Sequence, residues 1–250
     1  MMSKAKGLFK RLTYRLTDSI PDEKFVLFIC QLIQRRVNNS LPSRALKVLF
    51  SLDAMLYEIQ GEQAVLYDGG IHTKHRHMKY HDFFVNRITN QDRVMDIGCG
   101  IGAVANDVAQ VAGYVVGMDF NETSIKTARE RYQRDNLEFR VGDALEALPD
   151  EKFNIVILSN VLEHLPDRSQ FLQRVQETLK PNRILIRVPV FERDWRVPLK
   201  KELGVEWRLD PTHETEYTLE TFAEEMEEAG LAIRHLEVRW GEIWAEAANQ

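Results

Sequence analysis

The sequence predicts an α/β fold, with a mostly parallel sheet preceded by a helical appendage. Three observations predict it. From Arg93 onward, short runs rich in apolar and β-branched residues alternate with helical stretches, the pattern of repeated βαβ units. Before that point apolar residues recur at three-and-four spacing, the period of an amphipathic helix. The first β-rich run also leads straight into a glycine-rich turn, Asp96 to Gly102, as in Rossmann-like domains.

Taken in order, the pattern after Pro21 puts Phe25, Phe28, Ile29, Leu32 and Ile33 on one helical face, which is expected to be buried. A second helix begins at Pro42, carries Leu46, Leu49, Phe50, Leu56 and Tyr57, and breaks near Tyr67-Asp68-Gly69-Gly70. Residues 1–82 therefore read as a helical N-terminal appendage and 83–250 as the α/β domain. Strands are expected over 93–97, 114–118, 137–141, 153–158 and 184–188, with helices around 102–112, 122–135 and 168–180. Residues 231–238 and 243–245 suit a final antiparallel pair. Residues 189–216, punctuated by Pro189, Pro198, Gly204 and Pro211, read as an insertion after the fifth strand, where long loops usually serve a site.

Composition narrows the function. A net charge of −5 over 250 residues argues against a chain built to hold a nucleic-acid backbone. Cys30 and Cys99 are too few for a disulfide framework, so a cytoplasmic setting is expected. The apolar run Phe25 to Ile33 is far short of the roughly 20 residues needed to span a bilayer. Residues 1–16 carry Lys4, Lys6, Lys10, Arg11 and Arg15 and no acid, interleaved with Leu8, Phe9, Leu12, Tyr14 and Leu16. Weak contact with the inner membrane surface is a lesser expectation for this stretch.

The turn Asp96-Ile-Gly98-Cys-Gly100-Ile-Gly102 lets a ligand approach the backbone at a helix start. Gly98, Gly100 and Ala103 also satisfy the dinucleotide fingerprint, and Asp119 lies where a ribose-binding acid is expected, so a nicotinamide oxidoreductase is one reading. Asp96 tilts the balance. A carboxylate there is costly beside a pyrophosphate and useful beside S-adenosylmethionine (SAM), which has no phosphate and carries an ammonium and a sulfonium. Val141-Gly142-Asp143-Ala144 offers a carboxylate and a backbone N–H suited to adenine.

Val94 to Ala105, Val115 to Asp119, Gly142 to Ala144 and Phe153 to His164 together resemble the successive motifs of class I SAM-dependent methyltransferases. The resemblance covers roughly residues 80–245. It implies a Rossmann-like seven-stranded sheet with a reversed last hairpin, Asp119 on the ribose hydroxyls, Asp143 near adenine, and the glycine loop beside the methionine moiety. Phe120, Ala144, Ser159, Asn160, His75 and Tyr80 complete the candidate cofactor contacts.

Methyl transfer needs in-line approach of a nucleophile, and a hydroxyl acceptor must also lose a proton. The candidate catalytic residues are Glu163 and His164, after the fourth strand, and His213, in the insertion. This set resembles sugar and polysaccharide O-methyltransferases. It also resembles small-RNA 2′-O-methyltransferases and related quinone O-methyltransferases, in which a Glu-x-x-Glu-His run, joined in the RNA enzymes by a later His, holds a divalent metal. Here Asn160 stands in place of the first Glu, which removes a hard anionic ligand. No metal is therefore assigned, Glu163, His164 and His213 being the ligands if one binds, and His213 is the candidate general base. The polar segment Gly70 to Asp82 is placed over the cofactor, with His75, Arg76 and Tyr80 as candidate partners of the methionine carboxylate or an anionic acceptor. The expectation is O-methylation of a sugar or glycan intermediate. RNA methylation, nicotinamide chemistry and a non-catalytic binding module are the competing readings, and the oligomeric state is left open.

Overall fold

The computed structural model describes residues 17–250, so the basic stretch 1–16 and the membrane contact expected of it lie outside the described residues. The chain divides into two compact units, residues 1–60 and 61–250. The boundary falls inside a helix, and the polar segment after it, which the sequence pattern groups with the appendage to residue 82, belongs to the second unit.

In the first unit, α1 (Asp22–Asn38) starts after Pro21 with Asp22 and Glu23 in its first turn and ends with Arg35 and Arg36, both matched to the helix dipole. Helix α2 (Pro42–Tyr67) begins on a proline, whose missing N–H costs nothing at a helix start. The expected burial of the α1 face does not occur. No residue of α1 is buried, and Phe25, Phe28, Ile29 and Leu32 are exposed, Ile33 half-buried. The apolar period is real, but the described residues place nothing over that face.

The second unit contains α3 (Lys74–Met78), α4 (Tyr80–Val85), β1 (Arg93–Ile97), α5 (Ala103–Val108), β2 (Tyr114–Asp119), α6 (Glu122–Arg131), β3 (Leu137–Val141), β4 (Ile155–Ser159), α7 (Arg168–Leu179), β5 (Arg183–Pro189), α8 (Arg196–Glu202), α9 (Leu219–Glu228), β6 (Leu231–Arg239) and β7 (Glu242–Asn249). The seven strands form one sheet in the order β3-β2-β1-β4-β5-β7-β6. The first five are parallel, and β7 and β6 reverse direction. Order therefore switches between β1 and β4, and in open α/β sheets the crevice beyond the strand ends at that point is where ligands bind.

Side-chain alternation along the central strands builds two cores. Val94, Ile155 and Ile157 face one side with Phe83, Phe84, Ala105 and Ile125, so α4, α5 and α6 form that layer. Met95, Val156 and Leu158 face the other with Phe171, Leu172, Phe222 and Met226, which brings in α7 and α9. Strands covered on both faces read as continuous apolar runs, as β4 does from Ile155 to Leu158. Each large side chain buried this way stabilises the fold by about 1.5–3 kcal/mol.

The insertion is tied at both ends. Val190 and Tyr217 form a parallel bridge, and the backbone N–H groups of Glu214 and Thr215 donate to the carbonyl of Glu163 at 2.8 and 3.2 Å. The bonds to Glu163 hold the loop containing His213 against the end of β4.

Candidate active site

A cavity of about 570 Å³ opens beyond the carboxyl ends of β1, β2, β3 and β4. Of the residues singled out in the sequence, Gly98, Asp119, Phe120, Gly142, Asp143, Ala144, Asn160 and His164 line it, whereas Asp96, Gly100, Glu163 and His213 do not. Asn121, Ser124, Leu165, Phe171 and Thr212 line it too, and no local motif marks them, because they arrive from four separate segments, while Val161 belongs to the motif that ends at His164.

At one end the backbone itself sets the geometry. Gly98 has φ +71°, and a Cβ there would meet Val161 Cγ2 at 2.6 Å, so the turn passes beneath the β4 loop only as glycine. Gly98 N and Cys99 N both donate to the Met118 carbonyl, at 2.7 and 3.1 Å, which joins the ends of β1 and β2. Asp119 accepts from Gly100 N and Asn121 N, each at 2.8 Å, through different carboxylate oxygens. A carboxylate has about four acceptor directions, so Asp119 keeps capacity on both oxygens. Asp143, on the loop after β3, accepts from Leu145 N at 2.8 Å. Phe120 is 74% exposed beside Asp119, a free aromatic surface at the cavity mouth.

Asp96 sits behind the glycine turn, 1% exposed, with Oδ2 unpartnered. Burial, and then the charge of Asp119, push its carboxyl up to about 8. Gly102 faces away from the cavity, and a Cβ there would meet the Phe139 ring at 2.5 Å, so this glycine serves helix packing.

At the other end side chains do the work. Glu163 is fully buried with both carboxylate oxygens unpartnered, and burial pushes its carboxyl up to about 8. His164 and His213 meet edge to face with ring centroids 4.6 Å apart. Ligand atoms of Glu163, His164 and His213 all lie within 4.8 Å of one another, a grouping that suits a cation. His164 Nδ1 contacts Thr212 Oγ1 at 3.0 Å, and burial lowers its pKa. His213, 4% exposed, contacts Glu216 Oε1 through Nδ1 at 3.0 Å. With Nδ1–H donated to that carboxylate, His213 Nε2 carries the lone pair. Glu216 also accepts from Leu209 N at 2.6 Å and pairs with Arg193, which hold it in place.

Asn160 takes a different role from a ligand of this cluster. Its φ of +57° is left-handed, a conformation asparagine tolerates, and its Oδ1 accepts from Arg187 Nε at 2.7 Å. Arg187 is buried, lies over the Tyr80 ring at 3.7 Å and faces Glu242 at 3.4 Å. Tyr80 in turn contacts His75, and His75 contacts His81, which contacts Asp107 at 2.6 Å. His75 and Tyr80 thus sit in a packed network outside the cavity lining, and Arg76 pairs with Asp68 at 2.9 Å. Ser159, the last residue of β4, pairs in register with Arg187 and is absent from the lining.

Residues 88–237 match the family model described as a methyltransferase domain. The chain belongs to this family. The seven-stranded sheet with its reversed hairpin is the class I SAM-dependent methyltransferase fold, and the nicotinamide reading of the glycine turn is set aside. Among relatives, the chain is 32% identical over 128 residues to a ubiquinone biosynthesis O-methyltransferase of Bradyrhizobium diazoefficiens, covering 49% of this chain and 50% of that one. It is 31% identical over 160 residues to a "Probable S-adenosylmethionine-dependent methyltransferase" of Mycolicibacterium smegmatis, covering 63% and 58%. The chain thus spans about half the length of the curated relatives it matches. The magnesium protoporphyrin IX methyltransferase of Synechocystis PCC 6803, solved with bound S-adenosylhomocysteine (SAH), shares the methyltransferase fold at TM-score 0.54 and 19% identity, over 70% of this chain and 83% of that one.

Proposed function

We propose that this methyltransferase-family chain moves a methyl group from SAM to a hydroxyl oxygen of a quinol-type aromatic acceptor. The observation that supports the reading is the grouping of Glu163 and His213, both buried behind the lining, with His164, which lines the same cavity as Asp119 and Asp143. The cofactor residues fit SAM. Behind the lining, the unpartnered buried oxygen of Asp96 suits a cation held at the glycine turn, while in the cavity the spare acceptor capacity of Asp119 suits ribose hydroxyls and Asp143 suits the adenine amino group. When bound, SAM supplies an electrophilic methyl group.

The chain's own part is to place the acceptor and take its proton. His213, with Nδ1 held by Glu216, presents Nε2 as the proton acceptor. His164 lines the cavity and orients the hydroxyl, held by Thr212. Glu163, His164 and His213 also fit a divalent cation, being a carboxylate and two imidazoles, with both Glu163 oxygens unpartnered. A divalent metal held there would lower the pKa of an adjacent hydroxyl.

The quinol assignment follows the ubiquinone-pathway relative. No relative reported above carries a sugar or RNA in its name, and the glycan acceptor expected from the sequence has no support of that kind. The test is a methyl-transfer assay with catechol-type quinol precursors and with a panel of sugars, each with and without magnesium and chelator. Methylation of a phenolic oxygen is expected. Methylation of sugars alone would replace the acceptor while keeping the chemistry, and failure to bind SAM would overturn the whole reading.

A further inference from the structure

We propose that α1 and α2 dock this chain on an anionic lipid surface. The observation is an apolar face that the described residues leave open. At 100° per residue Phe25, Phe28 and Leu32 fall in one sector of about 60° on α1, with Arg35 and Arg36 on its two sides. Phe28 and Leu32 are 52% and 49% exposed, and on α2 Met55, Leu56 and Ile59 are exposed as well.

Two features select the occupant. The first is charge. Residues 1–60 carry ten Lys or Arg against five Asp or Glu, a net charge of +5, whereas 61–250 carry 23 against 33, a net charge of −10. The excess of the first unit lies in residues 1–16, whose five cations have no acid among them and precede α1 in the chain, while residues 17–60 carry five charges of each sign. An apolar stripe flanked by arginines matches a bilayer interface, where the stripe enters the acyl boundary and the guanidinium groups reach anionic headgroups. The second is geometry. The apolar stripe runs along the length of α1, which suits lengthwise contact with a surface, and no helix among the described residues is long and apolar enough to cross a membrane. Such docking deepens the quinol reading, because a quinol with an isoprenoid tail resides in lipid, but the surface itself rests on the first unit alone.

The test uses the full chain, sedimented with phosphatidylcholine vesicles with and without phosphatidylglycerol, beside SAM calorimetry. Association with the phosphatidylglycerol vesicles, weakened by salt and reduced at least about tenfold by Phe28→Glu with Leu32→Glu, is the expected result. Unchanged SAM binding and helical circular dichroism in that variant show that both units remain folded. Equal failure to bind either vesicle overturns the proposal. So does a concentration-dependent dimer broken by the same substitutions without vesicle binding, which assigns the face to a second copy. Vesicle binding by a chain that does not bind SAM leaves the docking intact and sinks the quinol reading instead.

Discussion

The two ends of the cavity are built in opposite ways. At the cofactor end Asp119 is satisfied by two backbone N–H groups, and the glycine turn around it is locked by main-chain bonds. At the acceptor end Glu163 has no donor on either oxygen, and its neighbours are side chains brought in by an insertion. A carboxylate held by backbone is preorganised before any ligand arrives. A buried carboxylate with no partner is costly when ionised, and a position of that kind is retained where something outside the chain completes it.

The sharpest way to break the comparison is Glu163→Gln. Turnover is expected to fall by about 10²–10⁴-fold with SAM affinity unchanged, while the melting temperature at neutral pH holds or rises because the native carboxyl, pushed up to about 8, must take up a proton to be buried and the amide need not. Single-turnover rates beside SAM calorimetry decide it, and full activity would remove Glu163 from the acceptor site. His213→Ala follows. It loses about 10²-fold or more in turnover and spares SAM binding. Retained turnover assigns the proton to another group.

Asp119→Ala attacks the other end. Loss of charged hydrogen bonds worth about 1.5–3 kcal/mol predicts roughly 10–100-fold weaker SAM binding, read by calorimetry, and an unchanged affinity would detach Asp119 from the cofactor. The smallest effect is the pH dependence at Asp96. Its carboxyl, normally near 3.8, is pushed up to about 8, so the ligand-free folded state holds a proton that the unfolded chain has lost. Stability of the free protein therefore falls as pH rises between those values. A cationic ligand favours the ionised form, so SAM affinity rises with pH by at most about tenfold per unit and levels above about 8. Asp96→Asn should abolish both the slope and the proton release seen by calorimetry in buffers of differing ionisation enthalpy.

Much of this was legible in the residues. The seven strand positions, the glycine turn and the acids at 96, 119 and 143 follow from local pattern, since short β-rich apolar runs and turn chemistry act over a few residues. Strand ends shifted by one or two residues, as at Ile155 and Ser159, and by four at the end of β7, expected at 245 and found at Asn249, because hydrogen-bond register decides the boundary. Arg187 went unmarked, being one arginine in a buried strand, although it holds both Asn160 and Tyr80. Glu216 was equally invisible, three residues from His213 in a run of acids.

The sequence by itself determined the α/β class, the cofactor turn and the candidate donors, because each depends on residue type and short-range spacing. Tertiary structure alone decided that Glu216, paired with Arg193, holds His213, that Asn160 turns to Arg187, and that the first helix keeps its apolar face open. Those outcomes depend on contacts between residues far apart in the chain. An apolar stripe records that a helix has a face to bury, and only the fold shows whether anything covers it.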